Sequence, residues 1–202
     1  MRPAVAARRA GLSALEVTVS VALLAVVTAK VLMLSSAAST TSTEDLSNIV
    51  LEDQARMTLD RIAYSIMGSD RSTLLPDTET PAFSSQIRYR VSLGLQGGVI
   101  VWDDPEAIEL SEVDQKLRWI EDPGGAGERS IVWCDAVRDL LQGEEANGVD
   151  DNGNGLIDES GLTFEIEGNT ITVILTLERP LRGGRRVVRT VSTTVTCRQF
   201  EP

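Results

Sequence analysis

The chain has 202 residues and a formal net charge of -11, enough length for one domain behind an N-terminal segment. That acidity argues against nucleic acid as a partner, because phosphate contacts need a basic surface. Histidine is absent, which removes His-based triads, His general acid–base catalysis and His-ligated zinc from consideration.

Residues 1–11 form a short leader with Arg2, Arg8 and Arg9 and no acid, ending in Gly11. From Leu12 to Leu34 the chain is apolar apart from Glu16, Lys30 and a few Ser and Thr. As a helix rising ~1.5 Å per residue, this stretch reaches about 34 Å, enough for a bilayer core of roughly 30 Å. The arginines before it place the N-terminus in the cytoplasm. An ordinary secretory signal, with its apolar region at Val17–Val27 and cleavage near Ser36-Ala37-Ala38, explains the apolar run. It gives Glu16 no purpose, and the run exceeds the usual apolar region of roughly 7–15 residues. A carboxylate at the edge of a membrane-length helix costs about 3 kcal/mol unless it has a partner.

Gly11-Leu12-Ser13-Ala14-Leu15-Glu16-Val17 resembles the N-terminus of the type IV pilin and pseudopilin superfamily, which usually reads G-F-T-L-I-E-V. The glycine, the glutamate spacing and the apolar run match. Leu12 replaces the usual phenylalanine, and Ala14 and Leu15 are apolar substitutes. The resemblance implies cleavage between Gly11 and Leu12 by a prepilin peptidase, methylation of the new N-terminus, and pairing of Glu16 with the N-terminal amine of a neighbouring subunit. Loss of the leader's three arginines would take the charge from -11 to -14.

The helix is expected to continue. No Pro lies between Pro3 and Pro76, and no Gly between Gly11 and Gly68. Leu51, Ala55, Leu59, Ile62 and Ile66 fall on one helical face. The spacing predicts an apolar membrane or filament-core segment over 12–35 and an amphipathic continuation over 36–68. Gly68 is the expected C-cap, and a bend or local melting is expected at Ser35–Thr43, where helix propensity is weak.

Residues 69–202 read as a β-rich domain. Ile87–Val91, Val99–Trp102, Lys116–Ile120 and Ser130–Cys134 are strand candidates. Leu162–Ile166 and Thr170–Leu177 form a hairpin across Glu167-Gly168-Asn169. Val187–Cys197 closes the chain after a turn at Arg182-Gly183-Gly184-Arg185. Trp102, Trp119 and Trp133 each sit in a strand candidate and are expected in the core. The fold class is α+β: a long N-terminal helix packed on an antiparallel sheet, pilin-like. Ile131–Leu140, Leu162–Phe164, the hairpin and Thr193–Arg198 resemble the J-type minor pseudopilin and the W-type minor pilin. Cys134 and Cys197 have no C-x-x-C spacing. In an exported protein they read as one disulfide joining distant strands, with two buried free thiols as the alternative.

One loop carries a second pattern. Counted from Asp150, oxygen-bearing side chains fall at positions 1, 3, 5 and 9: Asp150, Asn152, Asn154 and Asp158. Gly155 is at 6 and Leu156 at 7, where a backbone carbonyl would serve. This is the spacing of EF-hand-type calcium loops. Position 12 is Gly161 rather than the bidentate glutamate, leaving Glu159, Glu144, Glu145 or Asp151 to complete the shell. Six acids and no base lie between Glu144 and Glu159. The alternative is a solvated acidic loop held by Asx turns.

The resemblance implies a non-enzymatic minor pilin or pseudopilin of a type II secretion pseudopilus or a type IV pilus. It would sit in the inner membrane with its globular domain periplasmic until assembly. Its partners would be the prepilin peptidase, other pilin subunits and membrane lipid, and its cofactor calcium. The rival is a single-span or secreted calcium-binding adhesion domain outside any filament.

Overall fold

A computed structural model describes residues 13–77, 82–153, 155–181 and 183–197. The architecture is α+β, with one long helix and antiparallel sheets. The chain divides into two compact units, Met1–Asp45 and Leu46–Pro202.

Helix α1 spans Ala14–Met67. In the first unit its large apolar side chains from Leu15 to Leu34 are all 47–74 % exposed. The helix is long and apolar enough there to cross a membrane. The expected melting at Ser35–Thr43 does not occur; α1 is unbroken through it. The Thr41 and Thr43 hydroxyls donate to the carbonyls of Ala37 and Ser39 at 3.1 and 2.8 Å. Bonded back onto their own helix, they do not offer the backbone an alternative turn.

In the second unit the predicted face is buried. Leu51, Ala55, Leu59, Ile62 and Ile66 are at most 2 % exposed and belong to one core cluster. Each fully buried Leu or Ile contributes about 1.5–3 kcal/mol. The helix stops at Met67, but Gly68 is not its left-handed cap, since its φ is not positive. Ser69 closes the end instead, its N–H and hydroxyl donating to the Ile66 carbonyl at 2.9 and 2.6 Å. At Gly68 a Cβ would meet the Val91 side chain at 3.2 Å, a close approach that a larger residue would accommodate only by shifting Val91.

Strands β1 (Ala82–Ser84), β8 (Leu162–Glu167), β9 (Thr170–Pro180) and β10 (Arg186–Thr196) form one sheet in the order β1-β8-β9-β10. A second sheet has the order β2-β5-β6-β7, from β2 (Gln86–Tyr89), β5 (Glu106–Leu110), β6 (Leu117–Glu121) and β7 (Arg129–Cys134). β3 (Ser92–Gln96) and β4 (Val99–Trp102) make a separate hairpin. Alternate residues of the two large sheets meet the helix in one core: Ile87, Tyr89 and Ile108 from one, Phe164, Val173 and Leu175 from the other.

The expected disulfide is corrected. Cys134 and Cys197 are both buried free thiols. Cys134, at the end of β7, accepts a hydrogen bond from Gln54 at 3.5 Å. Cys197 Sγ lies 3.8 Å from the Ser69 hydroxyl, which is itself hydrogen-bonded to the Ile66 carbonyl. From Gln54 to Ile66 is 66 − 54 = 12 residues, about 18 Å of helix rise. Cα atoms more than about 7 Å apart cannot be bridged without moving the backbone.

Candidate functional site

Three places carry chemistry. The first is the start of α1. Ser13 and Glu16 form a capping box: the Ser13 N–H donates to Glu16 Oε2 at 2.8 Å, and the Glu16 N–H donates to Ser13 Oγ at 3.2 Å. Two N–H groups that the first turn leaves without helical partners are thereby satisfied. Glu16 thus has a local role that its position among apolar residues did not suggest. The processing residues Gly11 and Leu12 lie outside the described residues.

The second is the acidic loop. Its stems pair: the Leu141 N–H donates to the Glu159 carbonyl at 2.8 Å, and the Gly161 N–H to the Asp139 carbonyl at 3.1 Å. A Cβ on Gly161 would lie 2.0 Å from the Arg138 carbonyl oxygen. Position 12 therefore has no room for the glutamate of an EF-hand; the glycine is imposed by a crossing of two backbones. Inside the stems, the carboxylates collect backbone N–H groups. Asp150 accepts from Gly153 and Gly155 at 2.6 and 2.8 Å. Asp158 accepts from Asn147 at 3.2 Å and from Gly148 at 3.0 Å. Glu144, 1 % exposed, accepts from Asn152 at 3.0 Å and from Asp158 at 3.2 Å. Gly155 has φ +93°, a turn that strongly favours glycine.

The donors fit a hard cation chemically, because a carboxylate oxygen accepting one N–H keeps a second lone pair. Geometrically the fit is partial. Among the described residues no three acidic side chains converge as a metal group, and Asn154 lies outside them. Asp150, Asn152, the Leu156 carbonyl and Asp158 are the described oxygens of the predicted set.

The third place was not foreseen as a site. Trp119 and Trp133 are partly buried and packed against the core cluster rather than inside it, and Trp102 is half-buried. Trp119 and Trp133 stack with ring centroids 6.3 Å apart, and the Arg61 guanidinium lies over Trp133 at 5.5 Å. Glu106 Oε2 accepts from Tyr89 OH at 2.6 Å and from Trp119 Nε1 at 2.7 Å. Burial first, and then the bond and charge of Glu106, push the Tyr89 phenol far above its ordinary range. Both tryptophans and Glu106 border a broad groove of about 1300 Å³. The one signal in the sequence was an acid in register with Ile108 and Leu110 on β5.

Compared with known proteins, the chain matches no family model, no curated protein and no solved structure.

Proposed function

We propose that this chain is a minor subunit of a type IV filament machine, a pilin or pseudopilin with no catalytic role. The observation that supports this best is the exposed apolar run from Leu15 to Leu34, entered through a glycine and carrying one acid, Glu16, five residues later. The peptidase would cut between Gly11 and Leu12. Before assembly the helix would span the inner membrane, with the β-domain in the periplasm. On assembly Glu16 would meet the amine of a neighbour's first residue, both charges lying where the dielectric is low. Mass spectrometry of the N-terminus tests the reading: it requires a chain beginning at Leu12, N-methylated. An intact leader, or a start near Ser39, would refute it.

The capping box favours a second reading, in which Glu16 only caps its own helix and the protein is a single-span calcium-binding adhesion domain. The two readings part at the N-terminal residue and in the behaviour of Glu16→Gln.

In either reading we assign calcium to the 150–161 loop. Asp150, Asn152, Asn154, the Leu156 carbonyl and Asp158 would hold it. The support is the fixing of the Asp150 carboxylate by the Gly153 and Gly155 N–H groups, together with six acids and no base in the loop. At 1 mM calcium and a site of ~0.1 mM, binding to the folded state alone stabilises by about 1.4 kcal/mol. The β-domain should melt higher in calcium than in chelator by roughly 3–6 °C. That difference should vanish when Asp150 and Asp158 are both changed to Ala. Equal melting temperatures and no heat in a calcium titration would reduce the loop to an acidic turn.

A further inference from the structure

The groove beside β3, β5, β6 and β7 is walled by Tyr64, Met67, Leu93, Leu95, Trp119 and Ile131. Several of these are large apolar groups left open to water: Tyr64 is 83 % exposed, Leu93 64 % and Leu95 75 %. At about 1300 Å³ the groove exceeds the usual small-molecule range of roughly 300–1,000 Å³, so a stretch of polypeptide suits it better. Among the described residues that line it, Glu106 alone carries a charge.

Glu106 is an acid on the core-facing side of its strand. On β5 it shares a face with Ile108 and Leu110, both core residues. Its Oε2 holds Tyr89 and Trp119, and none of the described ion pairs includes it. The carboxylate is thus oriented by two donors, and among the described residues no cation pairs with its charge. Next to it, the tryptophan pair already takes a guanidinium, that of Arg61, over one of its rings. We propose that this groove binds an extended segment of a partner protein bearing an arginine or lysine between apolar residues, the cation pairing with Glu106 and the apolar neighbours packing on Leu93, Leu95 and Tyr64. This site stands apart from the filament reading and requires neither processing nor calcium.

The test uses the full chain in detergent micelles and two peptides labelled at the N-terminus, fluoresceinyl-Gly-Val-Leu-Arg-Leu-Val-amide and the same peptide with citrulline for arginine. Citrulline keeps the shape of the side chain and removes its charge. By anisotropy, the arginine peptide should bind about tenfold tighter than the citrulline peptide. Glu106→Gln, whose amide oxygen still accepts from Tyr89 and Trp119, should abolish that difference with an unchanged circular dichroism melt. Leu95→Ser, on an exposed hairpin, should weaken both peptides alike. Equal affinity of the two peptides for the unaltered chain, or no binding of the arginine peptide at millimolar concentration, would overturn the proposal without recourse to any variant.

Discussion

Ser13 and Glu16 exchange hydrogen bonds at the first turn of α1, and this separates two tasks that a glutamate can perform there. Capping needs an acceptor oxygen; pairing with a neighbour's amine needs a charge. Gln serves nearly as well as Glu at the third position of a capping box. We therefore expect Glu16→Gln to keep the helix start and be cleaved normally, yet be lost from sheared filaments. Glu16→Val should lose the cap as well, at a cost of about 1 kcal/mol. Wild-type incorporation of the Gln variant would show that the charge has no partner. The cysteines yield a second expectation at this scale. Burial pushes both thiols up, and the thiolate is the reactive form. Neither should alkylate in the native protein at pH 8, both should do so in denaturant without reductant, and reductant should not move the melting temperature. Recovery of a Cys134–Cys197 peptide under non-reducing conditions would contradict the separation of Gln54, which meets Cys134, from Ser69, which meets Cys197.

Among the elements, what the sequence made legible follows period and contrast. The face from Leu51 to Ile66 was readable because apolar residues recur at helical spacing with charges between them. The 162–177 hairpin was readable because β-branched runs flank a glycine turn. β5 was not: Glu106-Ala107-Ile108-Glu109-Leu110 has no β-branched residue but Ile108, and its helix-favouring Glu, Ala and Leu are overridden by pairing on both sides, with β2 and β6. Trp119 and Trp133 were readable as strand residues, but not as a groove wall, because a sequence does not show that the last turn of α1 and these strands border one groove. Gly161 was legible only as a gap in the calcium pattern. Its cause is a contact across 23 residues, from 161 − 138. A Cβ 2.0 Å from the Arg138 carbonyl oxygen forces two backbones apart, so Gly161→Ala should cost about 3 kcal/mol, near the upper end of overpacking penalties. Thermal unfolding should fall by roughly 6–12 °C. A loss under ~1 kcal/mol would mean that the 138–141 stem shifts freely, and with it the acidic loop.

At the scale of the whole molecule, the stability of the chain should reside in one unit. Every residue of the core cluster lies at or beyond Leu51, while the large apolar side chains before Asp45 are exposed. Exposed apolar side chains such as those described from Leu15 to Leu34 contribute little to folding in water and add an aggregation surface. A chain beginning at Ser42 should therefore fold by itself. Ser42 with Asp45 three residues on has the sequence of a helix N-terminus, so the shortened α1 keeps a cap where it is newly cut. Nine residues later Leu51 makes the first core contact, which leaves two turns free to fray without disturbing packing. We expect this 42–202 chain to be soluble, to unfold in one cooperative transition, and to match the melting temperature of the full chain in detergent within about 2 °C. A broad or absent transition would show that residues 13–41 contribute to the fold as well as to whatever surrounds them, and the apolar run would then need a partner within the chain rather than in lipid or a filament.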